Sequence, residues 1–189
     1  MVDMWRQRQA KILRLFRKIH RALGISLFLL FTLIALSGLL LGWKKNSGGY
    51  LLAKSYQGTS DKQETWLPVD SLTKIALQVL ADSISTDLSH RLDRIDFRPD
   101  RGMVKYVFAD HYWGIQLDCV TGQVLTIEKR RSDFIEHLHD FSYFDKLTGT
   151  KNSKLKLFYT TIMGLALLGF TTTGFWLWYG PKLMRQHKN

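Results

Sequence analysis

The chain has one cysteine and three prolines, and its two ends are almost without acidic residues. A single thiol, Cys119, excludes an intrachain disulfide and any Cys-x-x-Cys redox or zinc motif. Its surroundings suit a packed or turn thiol. No P-loop and no Gly-rich dinucleotide phrase occurs, so no nucleotide cradle is announced. No nucleophile–base pairing stands out either, and Asp93, Asp96, Asp100 and Asp110 are scattered over turns and strand ends. Catalysis by this chain alone is not expected.

Two long uncharged runs are present instead. Ala22 to Trp43 carries no charge over 22 consecutive residues. As a helix it would be about 33 Å long, enough for a hydrocarbon core of about 30 Å. A second run covers Leu157 to Tyr179. The first is too long for the core of a cleavable signal, and no Ala-x-Ala site follows it before Trp43-Lys44-Lys45, so an uncleaved anchor is expected.

The net charge of +11 is concentrated in the flanks. Residues 1–21 hold seven Lys/Arg against Asp3, and the tail 180–189 holds Lys182, Arg185 and Lys188 with no acid. The segment Trp43 to Lys154, with 16 basic and 15 acidic residues, is nearly neutral. The bias is the positive-inside pattern, so both termini are expected in the cytoplasm and the middle domain on the far side. The basic amphipathic lead suits membrane lipids, and nucleic acid is not an expected partner.

The expected order is therefore a lead (1–21), a first span (22–43), a linker (44–66), an α+β domain (67–130), a helix and connector (131–156), a second span (157–179) and the tail. Within the domain, Leu72, Ile75, Ala76, Val79 and Leu80 keep the spacing of one buried helical stripe. The period then changes to two: Ile95 and Phe97; Val104, Tyr106 and Phe108; Trp113, Ile115 and Leu117; and a last strand over Val124 to Ile127. A helix on an antiparallel meander of three to four strands follows. Pro99-Asp100-Arg101-Gly102 and Asp118 to Gly122 read as turns. Lys105 and Gln116 fall on the solvent face of that pattern. Gly180-Pro181 should stop the second helix. Gly38 and Gly42 in the first span, and Gly164 and Gly169 in the second, would let another helix approach closely. His111, Tyr112 and Trp113, at a hairpin tip, would form a partner contact.

The ordered set of phrases resembles the PepSY-associated transmembrane family. Its opening basic-His-Arg-x-x-Gly phrase is matched by Arg17-Lys18-Ile19-His20-Arg21-Ala22-Leu23-Gly24, and the end of its first span by Ser37-Gly38-Leu39-Leu40. The Asp-x-x-Thr-Gly-x-Val phrase stands at Asp118 to Val124. Leu138-His139 and Thr173-Gly174-Phe175-Trp176-Leu177-Trp178 complete the set. The resemblance implies a bacterial inner-membrane protein with a periplasmic PepSY domain. It would serve as a binding, accessory or regulatory subunit, with a protein partner or as a homodimer, in iron uptake. The alternative it implies is a haem-b electron-transfer subunit supporting ferric-siderophore reduction, with His20, His137 and His139 as the matched histidines.

A b-type haem takes two imidazoles at similar depth. His20 lies at the inner end of the first span and His139 stands before the second, on the other side. One chain would not bring both to one iron, which leaves His20 of a second copy or a partner's histidine. The plain alternative for His20 is an interfacial cation beside phosphate headgroups. His137 and His139, two apart, diverge by about 200° on a helix and would not share a metal. Asp133 and Tyr143, each one turn away, offer them local partners.

Overall fold

The computed structural model describes residues 2–186; residue 1 and residues 187–189, including Lys188 of the basic tail, lie outside the described residues. The chain forms two units. One joins the residues up to Leu39 with those from His137 onward, and Leu40–Glu136 forms the other.

The first unit is helical. Helix α1 runs unbroken over Val2–Trp43, so the basic lead and the first apolar run are one rod. The last helix, Lys154–Gln186, starts three residues ahead of its apolar run. Both helices are long and apolar enough to cross a membrane, with mean hydropathy of 2.4 and 1.3 over their most apolar windows. Ile25, Phe28, Leu29, Leu165 and Leu168 on their flanks are exposed. The last helix does not stop at Gly180-Pro181. It continues through Pro181 to Gln186. Proline deletes one helical N–H and crowds the preceding turn, but Gly180 is buried so closely that a Cβ there would lie 2.8 Å from Leu13 Cδ2. Packing accompanies continuation of the helix across a residue that would end it in isolation.

Residues 131–156, expected as one helix and a connector, begin with two short helices. These are α3 (Arg131–His139) and α4 (Ser142–Thr148). The break falls at Phe141, whose φ of +67° ends one helix and redirects the chain. Its ring stacks on Phe144 at 4.2 Å and on Tyr159 at 4.5 Å, contacts that offset the strain of a left-handed non-glycine. The buried Asp145 carboxylate then accepts the Leu155 and Lys156 N–H groups at 3.0 and 2.9 Å. That caps the opening turn of the last helix, α5.

The second unit is α+β. Helix α2 (Val69–Ser83) covers one face of a sheet of β1 (Leu92–Arg98), β2 (Met103–Phe108), β3 (Trp113–Asp118) and β4 (Val124–Lys129). The four strands form an antiparallel meander in chain order. Leu72, Ala76 and Leu80 of α2 pack on Val104, Tyr106, Phe108, Ile115 and Leu117, as the two periodicities require. Cys119 closes the same core, and burial pushes its thiol up to about 11. It is a packed thiol.

The other sheet face is not solvated. The segment after α1, polar and expected to be only a linker, lies across it as a strap. Gln116 is 1% exposed. Its side-chain amide donates to Lys54 O (2.9 Å) and to Glu128 Oε2 (2.7 Å), while its carbonyl accepts the Tyr56 N–H (3.2 Å). Glu128 in turn pairs with the Lys105 ammonium. This corrects the expectation that Lys105 and Gln116 are free surface positions. A polar side chain on the second face was read as solvated, but here it satisfies the backbone of a chain segment packed over it. Asp118 fastens the far end of the strap by accepting from the Thr59 backbone and hydroxyl.

Burial works against the charged forms of Asp118 and Asp133. Hydrogen bonds from Thr59 and from the Val120 and Thr121 amides outweigh it at Asp118, and Arg130 does so at Asp133, so both carboxyls sit below the ordinary carboxylate value. Their stabilising contribution is therefore complete above about pH 4, the unfolded value, and is lost as pH falls through the lower folded values. The urea midpoint of the detergent-solubilised chain, followed by near-UV circular dichroism, should drop on acidification below about pH 4. Asp118→Asn should be less stable at neutral pH and should show a shallower acid drop. An equal drop in both proteins would contradict the role given to Asp118.

Candidate functional site

The helical unit holds two histidines, each seated on a hydroxyl-glycine dipeptide. His20 lies on α1 within its basic portion. Its Nδ1 is 2.9 Å from Thr173 Oγ1 on α5, and a Cβ on the adjacent Gly174 would lie 3.6 Å from the ring's Cε1. Phe170, one turn before Thr173, meets the imidazole edge-to-face at 4.7 Å and also packs on Phe31. His139 ends α3. Its Nδ1 is 2.8 Å from Ser37 Oγ on α1, and a Cβ on Gly38 would lie 3.4 Å from its Cε1. The two sites repeat one another: a hydroxyl holds Nδ1, and the glycine beside it leaves room for the ring edge.

Each hydroxyl also reaches a carbonyl one turn back on its own helix, Thr173 Oγ1 to Gly169 O at 2.6 Å and Ser37 Oγ to Leu33 O at 2.5 Å. Each oxygen therefore stands between a carbonyl acceptor and an imidazole nitrogen. Neither Nε2 has a hydrogen-bond partner among the described residues.

Each end also contains an aromatic polar group without a partner. Trp176 Nε1, beside Phe16, and the hydroxyl of Tyr159, stacked on Phe141, are buried with no hydrogen bond among the described residues. In hydrocarbon such groups are costly. Near Tyr159, Asp140 pairs with Lys156 (2.5 Å) and accepts from Ser142. Burial raises the Asp140 carboxyl, but these bonds outweigh it and leave it below the ordinary value.

His20 and Ser37 are about 25 Å apart along α1, so the two imidazoles do not converge. His137 does not join His139; Lys146 lies 3.4 Å from its Nδ1. Among the described residues no three His, Cys, Asp or Glu side chains gather as a metal site. A haem at either end would be offered one imidazole from this chain, with its Nδ1 held by a hydroxyl as ligating histidines commonly are. The donor type fits a haem iron, and among the described residues no second histidine stands beside either ring.

His111, Tyr112 and Trp113 are half-buried. His111 Nε2 donates to Ser89 O (3.1 Å) and its Nδ1 accepts the Trp113 N–H (3.3 Å). Burial lowers its affinity for a proton. Tyr112 meets Phe134 edge-on at 5.4 Å, and Lys129 lies 4.9 Å over the Trp113 ring. These contacts fix the hairpin. Of the four glycines expected at helix contacts, Gly38 faces His139 and Gly169 faces Leu23 at 3.2 Å, while Gly42 and Gly164 face open space.

In the sequence, Ser37 and Thr173 stand out only as parts of the family phrases. Their signal in the sequence was the repeated hydroxyl-glycine pair, which has no meaning until a histidine is seen opposite it.

No curated protein sequence and no solved structure matches the chain. The family model described as PepSY-associated TM region matches residues 17–188, from the phrase that contains His20 to beyond the end of α5, and the chain belongs to that family.

Proposed function

We propose that this membrane-associated PepSY protein crosses a bacterial inner membrane twice, through α1 and α5, and holds its α+β domain in the periplasm as a binding, accessory or regulatory subunit. The observation carrying this reading is a well-packed α+β domain borne on two helices whose large apolar side chains, such as Ile25 at 76% and Leu29 at 77% exposure, need lipid or a partner to cover them. The basic flanks of those helices favour cytoplasmic termini. An iron-uptake setting comes from the family resemblance alone. Reporter fusions at residue 110 should score as periplasmic, and mild-detergent purification should return a second polypeptide or a homodimer. A cytosolic reporter, or a chain repeatedly recovered alone, would overturn the reading.

The His20–Thr173 and His139–Ser37 pairs favour a second reading, a haem-b electron-transfer subunit. When bound, haem would supply one-electron chemistry. This chain would contribute one imidazole at each end, completed by a second copy or a partner. The purified protein from haem-sufficient cells should show a Soret band, and His20→Ala or His139→Ala should each remove about half of it. A colourless, well-expressed protein ends this reading and leaves the first intact.

A further inference from the structure

We infer that Thr173 and Ser37 are tautomer-setting residues, which keep the proton of His20 and His139 on Nδ1 and so present Nε2 as a lone-pair donor. The purpose of that lone pair rests on the haem reading above; the tautomer itself does not.

The argument is one of hydrogen count. A hydroxyl has one proton. On a helix that proton falls naturally on the carbonyl four residues back, and Gly169 O and Leu33 O stand 2.6 and 2.5 Å from the two hydroxyl oxygens, placed to take it. What remains on the oxygen is acceptor capacity, aimed at Nδ1 over 2.9 and 2.8 Å. The glycines at 38 and 174 seat the ring edge, which sets its rotation as the hydroxyl sets its proton. His111 supplies a built-in contrast. There the backbone N–H of Trp113 points at Nδ1 and the Ser89 carbonyl accepts from Nε2, which demands the opposite tautomer.

The test is nitrogen-15 NMR of the full chain in detergent, with labelled histidine, at about pH 8.5, roughly two units above the ordinary imidazole value. The six histidines are assigned by single His→Gln variants. His20 and His139 should show the Nδ1–H pattern and His111 the Nε2–H pattern. Thr173→Val should release His20 alone, and Ser37→Ala should release His139 alone. Thr173→Ser and Ser37→Thr should restore the native pattern, which a merely structural role would not require. An Nε2–H pattern at His20 or His139 in the native chain, or no change in Thr173→Val, overturns the inference. Titration with ferric protoporphyrin IX is the separate arm. Thr173→Val should weaken the equivalent that His20→Ala abolishes about 10–100-fold, with Thr173→Ser near the native value. No binding by the native chain would end the haem reading while the tautomer result stood.

Discussion

Arg130→Ala is expected to destabilise the α+β unit by about 3–5 kcal/mol, the cost of breaking a buried charge pair from one side. Arg130 is 5% exposed. Its guanidinium donates to Phe108 O and His111 O, each at 2.7 Å, and to Trp113 O at 3.3 Å, closing the turn between β2 and β3. Its remaining nitrogen holds the Asp133 carboxylate at 2.5 Å. Truncation strands three carbonyls and leaves Asp133 with the Ser132 hydroxyl at 3.2 Å and the longer 3.8 Å pairing to Arg94. Lysine cannot reproduce a planar fork that serves four acceptors, so Arg130→Lys should recover only part of the loss. Hydrogen–deuterium exchange over residues 103–118 is the measurement, because those strands open with the domain. Adding Asp133→Asn to Arg130→Ala should return some protection, since it removes the stranded charge. Native exchange in Arg130→Ala would show that the guanidinium holds nothing together.

Gly102→Ala carries the second large effect, about 2–5 kcal/mol from two additive causes. The residue closes the β1–β2 connection with φ of +59°, a conformation that costs an L residue about 1–2 kcal/mol. Its Cβ would also lie 2.0 Å from the Ser60 carbonyl oxygen, which is backbone of the strap and cannot rotate away; overpacking of this kind adds about 1–3 kcal/mol. Gly58 shows the same close approach from the other side, 2.2 Å from Gly102 O. Gly48→Ala separates the two causes. Its φ is +65°, but nothing lies within 4 Å of the added Cβ, so it should cost only about 1 kcal/mol. Equal losses in Gly48→Ala and Gly102→Ala would mean that the strap does not press on the turn. Exchange over residues 103–108 distinguishes the outcomes.

Much of this architecture was legible in the residues. The stripe Leu72, Ala76, Leu80 and the alternation Val104, Tyr106, Phe108 are local periodicities, and both reached the core as expected. Other features were masked by local rules that packing overrode. Pro181 is a helix breaker by propensity, yet α5 continues with Leu13 pressed against Gly180. Gln116 alternates as a solvent-facing residue, yet it is enclosed because a polar segment sixty residues earlier needed its backbone satisfied. Phe141 carries no sequence mark of a left-handed residue; its rings' neighbours decide it.

By itself the sequence determined the two apolar rods, the charge of their flanks, the helix-on-meander pattern and the membership of a family. Each of these is carried by neighbours a few residues apart. Only the tertiary structure decided which hydroxyl faces which histidine and what covers the second face of the sheet. His20 and Thr173 are 153 residues apart in the chain, and Ser37 and His139 are 102 apart. A hydrogen bond reads distance in space, and at such separations the order of residues contains no trace of it until the helices pack.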